Sequence, residues 1–325
     1  MFEFESVYSI HEIVEQIFEN MDLKSKLNFI SCNKILRYMY SHLIRINYTR
    51  TLTNNDVERK FFDNCTSCYL NPELKRYPIH LKKIILGDYF NRSIEYLPES
   101  IIHLTLGKFF NLSIKDLPKS ITHLTLGEYF NRPIDNFPES ITHLMFGEYF
   151  NISIKYLPKF ITHLTFGTLY NQPIKDLPES ITHLTFGDHF NQPITNLPKS
   201  LTHLKFGKCF NQSIQDLPES ITHLIMGSLF NQPIPDLPKS ITHLIFGRYF
   251  NQPINNLPNS ITHLTFGEYF NQPIRHHFPK SLTHLTFYHM FRKFKLEDVP
   301  PSVTHLKFMN HSILNYSCIN VRFHL

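Results

Sequence analysis

The stretch Ser120-Ile121-Thr122-His123-Leu124-Thr125-Leu126-Gly127 decides the fold. Apolar and polar residues alternate around Leu124 and Leu126, the period of a short strand that buries one side only. Gly127 ends the strand and permits either a turn or a close approach of two backbones. Phe130 and Ile134 then return to the apolar side, and Phe137-Pro138 closes the unit, because proline cannot donate to a strand ladder. With Ile121, these positions all point to one core within a single 20-residue unit.

The unit recurs. Ile-Thr-His-Leu begins at positions 121, 141, 161, 181, 221, 241 and 261. All ten glycines share one phase, from Gly87 to Gly267, and asparagines run in step from Asn91 to Asn271. One coil is too small to bury its own apolar side, so stability requires stacking of neighbours ~4.8 Å apart, with parallel strands in register. The spacing predicts twelve such strands, centred on residues 84, 104, 124, 144, 164, 184, 204, 224, 244, 264, 285 and 306, in a sheet ~55 Å long. Each column then becomes a ladder. Phe130 belongs to an aromatic spine from Phe90 to Phe270, with Tyr170 as its one tyrosine. Asn131 belongs to the following polar column, expected at a buried turn where its amide satisfies backbone groups of the next coil.

The ends of the array are also legible. Leu81 to Gly87 is the first unit, with Lys83 where later units carry histidine. An extra residue in Arg275-His276-His277-Phe278 shifts the phase, and two irregular coils follow at 282–287 and 303–308. Loss of the consensus beyond residue 309 predicts a C-terminal cap at 310–325, which protects an otherwise open sheet edge.

Composition narrows the function. The 325 residues are 42% hydrophobic and 18% charged, with 32 Lys+Arg against 27 Asp+Glu for a net charge of +5. The signs are mixed along the chain, which argues against a nucleic-acid stripe and against a polybasic membrane patch. No run approaches ~18 apolar residues, and the acidic start MFEFESVYSIHEIVEQ is unlike a secretory signal. A soluble, monomeric protein of the cell interior is therefore expected, in the cytoplasm, with no cofactor. The five cysteines lack a disulfide framework. Cys65-Thr66-Ser67-Cys68 is a lone CxxC with only His80 nearby, too little for a zinc site.

The pattern Leu-Pro-x-Ser-Ile-Thr-His-Leu-Thr-Phe-Gly-x-x-Phe-Asn-Gln-Pro-Ile runs intact from Leu237 to Ile254 apart from Ile245 at the second threonine. It resembles the FNIP repeat, a relative of the leucine-rich repeat known from amoebae and the giant DNA viruses that infect them. The resemblance covers Leu81 to about Phe308 and implies a leucine-rich-repeat-like solenoid at 81–309 that binds proteins.

Residues 1–48 differ in texture, with no glycine or proline and apolar residues at helical spacing: Ile10, Ile13, Val14, Ile17, Phe18 and Met21. Two more short helices are expected over Leu27, Phe29 and Ile30 and from Cys32 to Leu43. The segment resembles an F-box through Ile10, Glu12, Ile13, Val14, Ile17, Phe18, Leu27, Phe29 and Cys32, with Ser9-Ile10 where the family usually has Leu-Pro. That resemblance implies docking on a Skp-like subunit of a cullin ubiquitin ligase, with the solenoid holding the substrate. From the residues alone, capping of the solenoid by the three helices stands as the weaker alternative, with a linker and N-terminal cap at 49–80 joining the two parts.

Candidate site residues lie on the strand face opposite the inward leucines. Eleven histidines, including His123, occupy one column from His103 to His305. A catalytic histidine needs a partner that makes it unlike the others, and eleven equivalent copies supply none, so the chain is not expected to be an enzyme. A linear column offers any metal ion two ligands at best, leaving metal binding as a weaker alternative to a structural ladder in which His123, Gly127, Phe130 and Asn131 each play one part. Specific capture of a protein needs positions that break the repeat. Met145, Lys205, Ile225, Ile245 and Lys307 in the threonine column, with Arg248 beyond the glycine, are the target-binding candidates.

Overall fold

The computed structural model describes residues 78, 80–95, 97–274, 277–288 and 295–309, the strands at 46–51, 65–69 and 319–322, and positions 21, 22 and 25. The F-box-like residues Ile10, Glu12, Ile13, Val14, Ile17, Phe18, Leu27, Phe29 and Cys32 lie outside the described residues. So does most of the joining segment at 49–80.

Among the described residues the chain forms one sheet of fifteen strands in strict sequence order. The repeat supplies β3 (Lys83–Ile85), β4 (His103–Thr105), β5 (His123–Thr125), β6 (His143–Met145), β7 (His163–Thr165), β8 (His183–Thr185) and β9 (His203–Lys205). It continues through β10 (His223–Ile225), β11 (His243–Ile245), β12 (His263–Phe266), β13 (His284–Phe287) and β14 (His305–Phe308). All twelve are parallel and in register, and from β4 onward histidine lies beside histidine and leucine beside leucine. Two further parallel strands precede them, β1 (Ile46–Thr51) and β2 (Cys65–Tyr69), so the sheet begins inside the stretch expected to be helix and linker. At the other end β15 (Ile319–Arg322) pairs antiparallel with β14.

Each repeat strand, β3 to β14, is only three or four residues long because the coil must turn inward again to bury its aromatic residues. Ile121, Leu124, Leu126 and Phe130 are almost fully buried, whereas Ile134 and Phe137 are only half-buried on the back of the coil. The spine residues stack along the axis, with Phe190 and Phe210 at 6.2 Å between ring centroids. Within a coil Phe206 lies 3.8 Å from Phe210. Burying one such ring contributes about 2–3 kcal/mol relative to leaving it exposed, so the core is an aromatic column repeated at every coil.

The glycine column serves close approach rather than turning. No glycine has a positive φ. A Cβ placed on Gly167 would fall well inside van der Waals contact with the carbonyl oxygen of Gly147, and the same holds at each glycine from Gly107 to Gly267. The left-handed conformation falls instead on Asp176, Asn196 and Asp216, with φ of 54° to 58° just before Leu-Pro; short polar side chains tolerate that region best. The asparagine column corrects another expectation. Its residues are exposed or half-buried, yet the carboxamide oxygen does accept the backbone N–H of the next asparagine, as from Asn191 N to Asn171 Oδ1 at 2.9 Å. The side chain replaces strand pairing where consecutive coils run too far from the sheet to pair otherwise.

Candidate functional site

The open face of the sheet is built from three side-chain columns. In ten of the rows, from Thr122-His123 to Thr304-His305, a threonine precedes the histidine. Its hydroxyl donates to the carbonyl of the equivalent residue one coil earlier, as Thr182 Oγ1 does to Thr162 O at 3.2 Å. The same oxygen lies 2.9 Å from His183 Nδ1. Since the hydroxyl hydrogen is already committed to the carbonyl, Nδ1 must be the donor in that bond, which fixes the tautomer and leaves Nε2 as the free edge of the ring. The rings are stacked from His103 to His305, with neighbouring centroids 4.1–4.3 Å apart.

Packing of this kind disfavours positive charge. Burial first, and then the neighbouring imidazoles, hold His123, His143, His163, His183, His243 and His284 below the ordinary histidine value. Desolvation leads the list of causes; the mutual repulsion expected from the spacing comes second. Stacked rings also direct their Nε2 lone pairs side by side, not toward a common point. Among the described residues no group of three or more His, Cys, Asp or Glu could hold a metal ion.

The positions that break the repeat are not gathered at one point. Met145 and Ile245 are the exposed apolar residues of this face, at 48% and 37% of full accessibility. Lys205 is exposed, whereas Ile225 and Lys307 are half-buried. Arg248 is already engaged: it forms a two-pronged pair with Glu268, Nε to Oε2 at 2.8 Å and Nη2 to Oε1 at 3.2 Å. Its guanidinium also lies over the rings of Tyr249 and Tyr269. Lys108 with Glu128 and Lys208 with Asp188 make equivalent pairs, so this column staples adjacent coils. Exposed pairs of this type contribute little individually.

Two of the candidates do converge. Ile245 and Arg248 line a cavity of about 540 Å³ at the C-terminal shoulder of the face, with Met226, Ser228, Glu268 and Tyr288. Gly247 and Gly267 line it, and Tyr288, which occupies the next position in that column, lines its end. Sequence reading singled out Ile245 and Arg248 but missed Tyr288; the available signal was the end of the glycine column at Gly267.

Fold and surface together define a parallel solenoid of the leucine-rich-repeat type, about a dozen coils long. The chain belongs to the FNIP repeat family, whose model matches residues 71–109, 110–137, 130–169, 170–209, 210–236, 230–256 and 254–289. Among solved structures it is similar to the crystal structure of CroV588, described as a novel circular LRR protein, at 41% identity and a TM-score of 0.66 over 76% of this chain and 44% of that one. It is also similar to YopM from Yersinia enterocolitica WA-314, at 17% identity and a TM-score of 0.48 over 76% of this chain and 64% of that one. The chain thus spans less than half the length of CroV588. No curated protein matches it.

Proposed function

We propose that the protein is an interaction protein whose open face captures a protein target, and that residues 10–46 dock it on a Skp-like subunit, making it a substrate adaptor of a cullin ubiquitin ligase. The observation that carries the first half is the exposure of Met145 and Ile245 where threonine is the repeat's own residue. An apolar side chain there contributes nothing to the core, and exposed apolar residues set in a regular polar face are the usual anchors of a protein contact. The cavity beside Ile245 offers a place for one apolar side chain of the target, with the Arg248–Glu268 pair at its rim. The second half rests on the F-box resemblance of Ile10, Glu12, Ile13, Val14, Ile17, Phe18, Leu27, Phe29 and Cys32.

The competing scaffold reading, in which the N-terminal helices only cap the array, gains support from β1. Its start at Ile46 puts the stretch expected to be helical immediately before the terminal strand of the sheet, an edge that needs cover. Truncation separates the two readings provided that it spares β1. A chain lacking residues 1–40 should keep the array's far-ultraviolet spectrum and its target but lose copurification with the Skp-like subunit. Melting of the repeats on that deletion, or a full-length chain that never copurifies with such a subunit, refutes the adaptor role. Loss of target on replacing Ile245 by Thr and Met145 by Thr tests the face itself.

A further inference from the structure

Charge is segregated across the array in a way that the net value hides. In the twelve rows from Lys82 to Lys307, the three columns of the open face contain no aspartate or glutamate. They contain eleven histidines and four lysines, Lys82, Lys83, Lys205 and Lys307. Among the described residues none of these lysines is in an ion pair. The acids lie outside these columns: on the two flanks, where most are engaged, and on the back of the coil, at Glu95, Asp116, Asp135, Asp176, Asp216 and Asp236. Beyond the glycines, Glu128, Asp188 and Glu268 pair with Lys108, Lys208 and Arg248. At the opposite corner Glu99, Glu139, Glu179 and Glu219 accept backbone N–H groups of the lysine one coil later, so acid and base alternate along that edge.

We propose that the open face is a docking surface for an acidic, extended segment of a protein partner, held by the Nε2 edges of the histidine column as they take up protons. This rests on the target-capture reading above and names the chemistry of the target. The threonine relay occupies Nδ1 in ten of the eleven histidines, from His123 to His305, so Nε2 is the edge that meets a ligand. A carboxylate brought to Nε2 favours the imidazolium, which then donates Nε2–H to it, and the proton comes from solvent. Association is therefore coupled to proton uptake and strengthens as pH falls. Adjacent rings 4.1–4.3 Å apart repel when both are charged, so alternate histidines charge first. Alternate imidazoles, two steps of 4.1–4.3 Å apart, are separated by at most about 8.6 Å, within about 1 Å of the ~9.3 Å turn of a polyproline-type helix, so an acidic residue at every third position approximates the alternation.

A single-stranded nucleic acid fits less well. Its proteins stack bases on exposed aromatic faces, and here the imidazole faces are closed against one another, 11° to 13° from parallel in the central rows.

The test uses the full chain and a fluorescent peptide with glutamate at every third position and proline between, read by anisotropy at about pH 7.5 and about pH 5.5. The affinity should rise at least about tenfold toward the lower pH, and calorimetry in two buffers of different ionisation enthalpy should show net proton uptake. The same peptide with glutamine for glutamate should not bind. Combining His163→Gln, His183→Gln and His203→Gln should flatten the pH dependence. Because that variant also removes stacked rings from the column, the proton uptake of the unaltered chain stands as an independent criterion. A pH-independent affinity, equal binding of the glutamine peptide, or tighter binding of an oligothymidylate than of the acidic peptide overturns the proposal. If the peptide fails while Met145→Thr with Ile245→Thr still abolishes capture of a target, only the acidic partner falls; if those substitutions also change nothing, the target-capture reading falls with it.

Discussion

Acidification is the perturbation that this architecture should resist least. Ten adjacent pairs of imidazoles run from His103 to His305 at 4.1–4.3 Å. Two unit charges at that distance repel by about 1 kcal/mol even at the dielectric constant of water and by about 4 kcal/mol at an effective value of 20. Charging the whole column therefore costs at least about 10 kcal/mol, comparable to the ~5–15 kcal/mol that holds an ordinary domain together. Alternate members can charge without an adjacent partner. Each of those between them then adds two repulsions, about 2 kcal/mol in water. The sign follows from the folded values, which burial and neighbouring imidazoles lower from 6.5 in members such as His143 and His183. The stability involved is present above 6.5, the value in the unfolded chain, and is lost as pH falls through the lower folded values. Calorimetric melting between about pH 7.5 and 5, above the carboxylate range, should show a progressive fall in Tm. Histidine resonances followed by NMR should titrate in a spread far broader than one independent population, and added salt should narrow it. An unchanged Tm across that interval, or eleven imidazoles titrating together as isolated groups, would refute the reasoning.

Three further outcomes follow from named contacts. Gly167→Ala should destabilise the array by about 3 kcal/mol or more and leave its neighbouring coils open to hydrogen exchange, because the new methyl meets the backbone of Gly147 rather than a movable side chain; Gly87→Ala, with nothing within 4 Å among the described residues, is the matched control. Phe160, at 66% exposure, stands where the neighbouring coils carry a serine such as Ser180, which donates to Ile161 O at 2.6 Å. Phe160→Ser should therefore gain one bond to Ile141 O and about 0.5–1.5 kcal/mol, read from denaturant midpoints; a loss would refute the equivalence of the coils. Thr182→Val removes both the donor to Thr162 O and the acceptor for His183 Nδ1, so it should cost about 1–2 kcal/mol and release the fixed tautomer of His183, visible in its ring nitrogen shifts.

The sequence by itself determined the coil. A 20-residue period, with inward leucines and a phenylalanine spine, admits one arrangement, because no coil can bury its apolar side except against copies of itself. Twelve strand positions, their parallel register and the histidine face were all legible from that period. Other features were not, and for one reason: they depend on distances between coils, which periodicity leaves open. Only the packed array decided that the glycines serve backbone contact without a turn, and that the asparagines hydrogen-bond at an exposed edge. Two early strands, β1 and β2, lack the repeat and were invisible to it, since their place in the sheet is set by pairing, β2 with β3 and β1 with β2, and not by their own pattern. The cavity at Tyr288 likewise exists only because a ring follows a line of glycines in space, where the sequence shows merely the end of a column. Histidine shows the division most clearly. Its column could be read from the letters, but the Thr–His relay that fixes the tautomer and turns Nε2 outward is a product of threonine, imidazole and the neighbouring coil's carbonyl meeting within hydrogen-bond reach.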